Sequence, residues 1–153
     1  MSRGYFGIGI YHGKTAANTG MLLRSAYVMG ASFSFVIGSR YSREPTDTLN
    51  ATAHCPLYEY DDFEQLLRHT PKGAKIIGIE QGGESLASFT HPHQAIYLLG
   101  AEDHGLPLGV AERCDRVVEI PTAKEMSLNV AVAGSILLWD RQLKAAMRQK
   151  VTS

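Results

Sequence analysis

Short runs that read as strands alternate along this chain with runs whose apolar residues recur at helical spacing. Residues 5–11 (YFGIGIY) are apolar at alternate positions and predict a first strand. Five more strands are predicted over 32–37 (SFSFVI), 57–60, 75–80 (KIIGIE), 94–99 (QAIYLL) and 116–120 (RVVEI). Residues 18–30 predict a helix with Met21, Leu22, Ser25, Val28 and Met29 on one face and Gly30 as its C′ residue. Asn18 stands at the helix entry, where it caps or contacts a ligand. Arg24 falls at the edge of the apolar face, beside Val28. It is either a rim salt bridge with its stem packed on the core or a guanidinium held at a pocket mouth. Asp61 is placed to cap a helix over 62–69, which Pro71, Lys72 and Gly73 end. Another helix starts at Pro107 or Leu108. A long one runs over 127–148 and is apolar almost all round at first. Residues 38–53, with Pro45, are polar and irregular.

This order predicts a single α/β domain over 1–153, a mostly parallel sheet with helices on both faces. Such sheets bind ligands outside the carboxyl ends of their strands. Three strand ends carry unusual loops: Gln81-Gly82-Gly83-Glu84 after Glu80, the run from Gly100 to Pro107 after Leu99, and Pro121 onward after Ile120. The glycines after Glu80 read as a turn. A polar loop between a buried strand and a buried helix is costly to keep without a use. Ser127 and Asn129 sit where a helix start leaves free N–H groups. Ser127 is a plain N-cap, or the loop and helix start line a ligand site.

Composition narrows the function. A net charge of zero over 153 residues argues against a protein that coats nucleic acid by charge alone. Local basic groups remain: Arg40 with Arg43, and Arg141, Lys144, Arg148 and Lys150, whose helical spacing reads as a solvated helix end. Cys55 and Cys114, far apart and without a CxxC, fit free thiols and a cytoplasmic location. The start lacks the apolar core of a signal peptide. The longest apolar run, 130–139, is too short to span a bilayer, so no membrane is expected. His91 and His93 flank Pro92 with no cysteine nearby, so no metal is expected either. Gly13-Lys14-Thr15 is not a phosphate loop, because Ile8 stands where the first glycine is needed.

Three motifs together resemble the SpoU (TrmH) RNA methyltransferases of the SPOUT superfamily. They are NTGMLLRSAYVMG with Asn18 and Arg24, YLLGAEDHGLP over 97–107, and IPTAKEMSLNVAVA over 120–133. The resemblance covers nearly the whole chain but not residues 38–53, and no N-terminal RNA-binding extension is matched. It implies a minimal catalytic domain with a trefoil-knotted C-terminal half, a homodimer, and S-adenosylmethionine as methyl donor. It places Ile79, Glu80, Leu99, Gly100, Ile120 and Leu128 against the donor. Gly100 would allow close backbone approach, and Ile79, Ile120 and Leu128 would sandwich the adenine.

The implied reaction is methylation of a ribose 2′-hydroxyl in RNA, tRNA favoured over rRNA. That hydroxyl is a poor nucleophile and must be aligned and deprotonated. The same resemblance makes Arg24 the key residue. An arginine stays protonated, so its expected work is to orient a phosphate or stabilise the forming alkoxide. Asn18, Glu102, Ser127 and Asn129 would hold Arg24 and the ribose in place. The rival readings are a SPOUT enzyme that methylates a base nitrogen and a non-catalytic RNA-binding module of the same fold.

Overall fold

The computed structural model describes residues 4–42, 50–102 and 104–152. Arg43, Pro45 and Asp103 lie outside the described residues. Six strands form one parallel sheet: β1 (Tyr5–Tyr11), β2 (Phe33–Ile37), β3 (Leu57–Tyr60), β4 (Lys75–Ser85), β5 (Gln94–Leu99) and β6 (Arg116–Glu119). Their spatial order is β3-β2-β1-β5-β4-β6, every pairing parallel. Helices α1 (Ala16–Val28) and α4 (Val130–Thr152) cover one face. The short α2 (Phe63–His69) and α3 (Leu108–Ala111) cover the other.

The central strand shows why the sequence folds this way. Phe6, Ile8 and Ile10 point into the core under α1 and α4. Gly7 and Gly9 point the other way, where the rings of Phe33 and Phe35 cross over them; a Cβ at Gly7 would lie 2.3 Å from the Phe33 ring. On the first face α1 and α4 meet at Gly134, where a Cβ would come 2.4 Å from Leu22 Cδ1. The close approach also lets the hydroxyls of Ser25 and Ser135 bond at 2.7 Å.

Several expectations change. The buried face of α1 is Thr19, Leu22, Leu23 and Ala26, while Met21 and Val28 are exposed. Both sets fit a helical period, and only packing tells them apart. Thr15 caps α1 by accepting from the Asn18 N–H at 3.2 Å, so Asn18 lies inside the first turn and its side chain is not used as the cap. Asp62, not Asp61, caps α2, and Gln65 reaches back to the Asp61 N–H. The helix expected to open at Ser127 begins at Val130. Asn129 is its cap, its Oδ1 accepting from Ala131 at 2.9 Å and Val132 at 3.2 Å. The expected turn after Glu80 is a continuation of β4, with a register shift against β6 between Ile79 and Glu84.

The basic end of α4 divides. Arg141 is buried, donating to the Pro92 and His93 carbonyls and to the Tyr97 hydroxyl, with its guanidinium 4.5 Å from the Phe6 ring centroid. Lys144 donates to the carbonyls of Leu86 and Phe89 and pairs with Asp140. Both clamp the 86–93 segment to α4 and are neither RNA patch nor solvated helix end. His91 bridges Tyr97 and Asp140 at 2.7 Å each, and its burial holds its pKa below the usual value despite the carboxylate. Burial pushes the Tyr97 hydroxyl up to about 12. Arg40 pairs with Asp61 at the exposed surface.

Candidate active site

The carboxyl ends of β4, β5 and β6 open into a cleft of about 700 Å³. Ile79 and Glu80 from the end of β4, Leu99 and Gly100 from the second motif, and Ile120 and Leu128 from the third all line it, with Glu102 and Ser127. Ile79 and Leu99 are buried at their strand ends, whereas Leu128 is 36% exposed and overhangs from the loop before α4. The apolar walls thus belong to the rigid sheet on one side and to a loop on the other.

Glu80 shapes the cleft more than it offers itself to a ligand. Its carboxylate accepts from the Leu106 N–H at 2.7 Å and the Gln81 N–H at 2.9 Å, holding the loop after β5 against the end of β4. Gly105, at φ +62°, turns that loop back over Gly100. A Cβ on Gly100 would lie 2.2 Å from the Gly105 carbonyl carbon and 2.4 Å from the Leu106 nitrogen. Gly100 must therefore be small because of the protein's own backbone, before any ligand arrives.

A hydrogen-bonded chain flanks the cleft. The Asn18 amide donates to Glu102 and accepts from Asn129 Nδ2 at 3.0 Å. Since Asn129 also caps α4, this chain joins the first turn of α1, the loop after β5 and the start of α4. Ser127 stands free on the cleft wall, its hydroxyl without a hydrogen-bond partner among the described residues.

Arg24 is apart from this group. It is exposed on α1, six residues beyond Asn18 and thus about 9 Å further along the axis. It borders a shallow concavity with Met21, Ser25, Ala131, Val132, Ser135 and Ile136. It has no hydrogen-bond or ion-pair partner among the described residues, so the rim salt bridge is not what holds it. The structure brings ten of the eleven expected site residues into or beside the cleft and leaves Arg24 outside it.

Motif reading missed other cleft residues, among them His104, Glu119, Lys124, Glu125 and Met126. All lie in or beside the same three loops, so proximity to a motif was the available signal. Among the described residues four carboxylates, on Glu80, Glu102, Glu119 and Glu125, line the cleft against one lysine, Lys124, favouring a cationic ligand. Neither cysteine suits a thiolate mechanism. Both are free, and burial pushes Cys114 up to about 11. Among the described residues no cluster of three or more His, Cys, Asp or Glu could hold a metal ion, and no helix is long and apolar enough to cross a membrane.

The SpoU rRNA Methylase family matches residues 6–139. Over 133 residues the chain is 32% identical to the mouse tRNA (guanosine(18)-2′-O)-methyltransferase TARBP1, a match that covers 80% of this chain but only 8% of that much longer protein. A structure solved to explain 2-OH methylation of C/U34 on tRNA superposes with a TM-score of 0.80 at 25% identity, covering 94% of this chain and 99% of that one. The SpoU methyltransferase AviRb from Streptomyces viridochromogenes, solved with AdoMet, superposes with a TM-score of 0.82 at 21% identity, covering 100% of this chain and 60% of that one. At that identity the likeness shows a shared fold.

Proposed function

The chain belongs to the SpoU rRNA methylase family, and from that premise we propose that it methylates a ribose 2′-hydroxyl of RNA, tRNA in preference to rRNA. The observation that carries the reading is that the second and third motifs and the end of β4 converge on one cleft, with Asn18 of the first motif bonded to Glu102 on its wall. The methyl donor is S-adenosylmethionine, which supplies an electrophilic methyl on a sulfonium. The residues present suit it. Ile79, Leu99, Ile120 and Leu128 give an apolar slot for the adenine, and the acidic lining complements the positive sulfur. The backbone groups around Gly100 and Leu106 are fixed in place by Glu80.

The remaining work falls to side chains beside the cleft. The Glu102–Asn18–Asn129 chain is a rigid polar wall against which a ribose can be oriented. The uncommitted Ser127 hydroxyl can bond the ribose from the cleft side. Arg24, always cationic, steadies the neighbouring phosphate and the negative charge that develops on the 2′-oxygen. Ribose is the preferred target because the two relatives named for it act on different nucleotides, guanosine 18 and C/U34, and share the 2′ position. The test is where the transferred methyl resides, on ribose or on base.

A homodimer completes the site. Val132, Ile136, Trp139, Leu143 and Met147 are all exposed and recur every three or four residues along α4, with Met21 of α1 nearby. Trp139 and Met21 are each about half exposed, at 51% and 50%. A second copy pairing on this stripe would cover the concavity beside Arg24, letting Arg24 serve the partner's cleft. Light scattering should give twice the chain mass at micromolar concentration. Trp139→Asp should give a monomer with little methyl transfer; a wild-type monomer would contradict the pairing.

A further inference from the structure

Three residues beyond Arg24, α1 carries a feature for which the donor cleft has no use. Residues so spaced on a helix are surface neighbours, their Cβ atoms about 5–6 Å apart. The Tyr27 ring lies against His54, with centroids 5.2 Å apart and planes inclined by only 21°. His54 follows the 3-10 turn Ala51–Ala53, which packs on α1. Tyr27 is 37% exposed, His54 is also exposed, and neither belongs to either core cluster. Among the described residues neither side chain has a hydrogen-bond partner. The histidine packs against one face of the tyrosine, whose side chain stays more than a third exposed.

We propose that Tyr27, backed by His54, is a stacking subsite for an unpaired RNA base adjoining the target nucleotide, with Arg24 on the intervening phosphate. This rests on the RNA methylation reading above and adds where the RNA is gripped. A chain of zero net charge lacks the electrostatic attraction that holds most RNA-binding proteins on their targets. Stacking supplies affinity without charge and tolerates any base, since every base has a π face. The pair stands beside a cation with no protein partner, which supplies a local charge for a phosphate.

Steady-state kinetics with bulk tRNA at saturating donor test the assignment. Tyr27→Ala should raise KM for tRNA about tenfold, within the range for losing one stacked base. Its kcat and its donor affinity by calorimetry should stay within about twofold of wild type. Tyr27→Phe keeps the ring and should behave as wild type. So should Tyr58→Ala, which removes an exposed tyrosine from β3 on the sheet face opposite α1. A wild-type KM in Tyr27→Ala overturns the subsite, as does an equal loss in Tyr27→Phe. A monomeric Tyr27→Ala by light scattering also overturns it, by making the pair a contact between copies. If wild-type protein methylates neither tRNA nor rRNA, the functional reading falls first and the subsite with it. Turnover by wild type with an indifferent Tyr27→Ala removes the subsite alone.

Discussion

Arg24→Ala is expected to bind S-adenosylmethionine as tightly as the wild type and to lose about 10²–10³ in kcat, the usual loss for one preorganised electrostatic group. The two halves of that expectation come from different parts of the molecule. Arg24 does not line the cleft, so its removal leaves the cleft walls untouched. Its side chain also holds nothing else together, having no partner among the described residues, so the fold should not notice the change. An exposed arginine without a partner either does nothing or meets something from outside. Calorimetry with the donor and single-turnover methyl transfer to tRNA distinguish the two. Activity within a few-fold of wild type would return Arg24 to an ordinary solvated side chain.

Gly100→Val should abolish donor binding and lower the melting temperature together. The added carbons meet the Gly105–Leu106 backbone, which has no flexible end to swing aside. Forcing it away breaks the bond from the Leu106 N–H to Glu80 and opens the wall shared by β4 and β5. Overpacking of this kind costs about 1–3 kcal/mol, and the cleft loses its shape along with that stability. Thermal unfolding and donor calorimetry on the same sample check the pair of effects. Full donor affinity at an unchanged melting temperature would show that the loop accommodates the side chain. Motif reading expected the clash to be with the ligand; the structure puts protein backbone there first.

Strand ends were the legible part of the site. Ile79, Leu99 and Ile120 each close an apolar run and open a polar one, a change visible in the sequence alone. The contacts that unite them were not legible, because Asn18 meets residues 84 and 111 positions away and no local pattern encodes such distances. Helix α1 was misassigned on its buried face because it carries two apolar sets, one for the core and one left exposed. The start of α4 offered two good caps in Ser127 and Asn129, and only the geometry of the N–H groups selects Asn129. Arg141 and Lys144 read as surface because their type is mostly exposed. Backbone carbonyls of Leu86, Phe89, Pro92 and His93 draw them inward. The glycines after Glu80 look like a turn locally, but pairing of Glu84 and Ser85 with β6 keeps the segment in the sheet.

The measurement closest to the central claim locates the methyl group. Alkali cleaves RNA through the 2′-oxygen, so a methylated 2′-oxygen protects the adjacent phosphodiester, while a methylated base leaves it open to cleavage. RNA treated with the protein and labelled S-adenosylmethionine is hydrolysed in alkali and the products are separated. Label in alkali-resistant dinucleotides is predicted, and it should vanish when Ser127 and Asn129 are replaced together. Label only in mononucleotides would contradict the ribose assignment and make this a base-methylating enzyme.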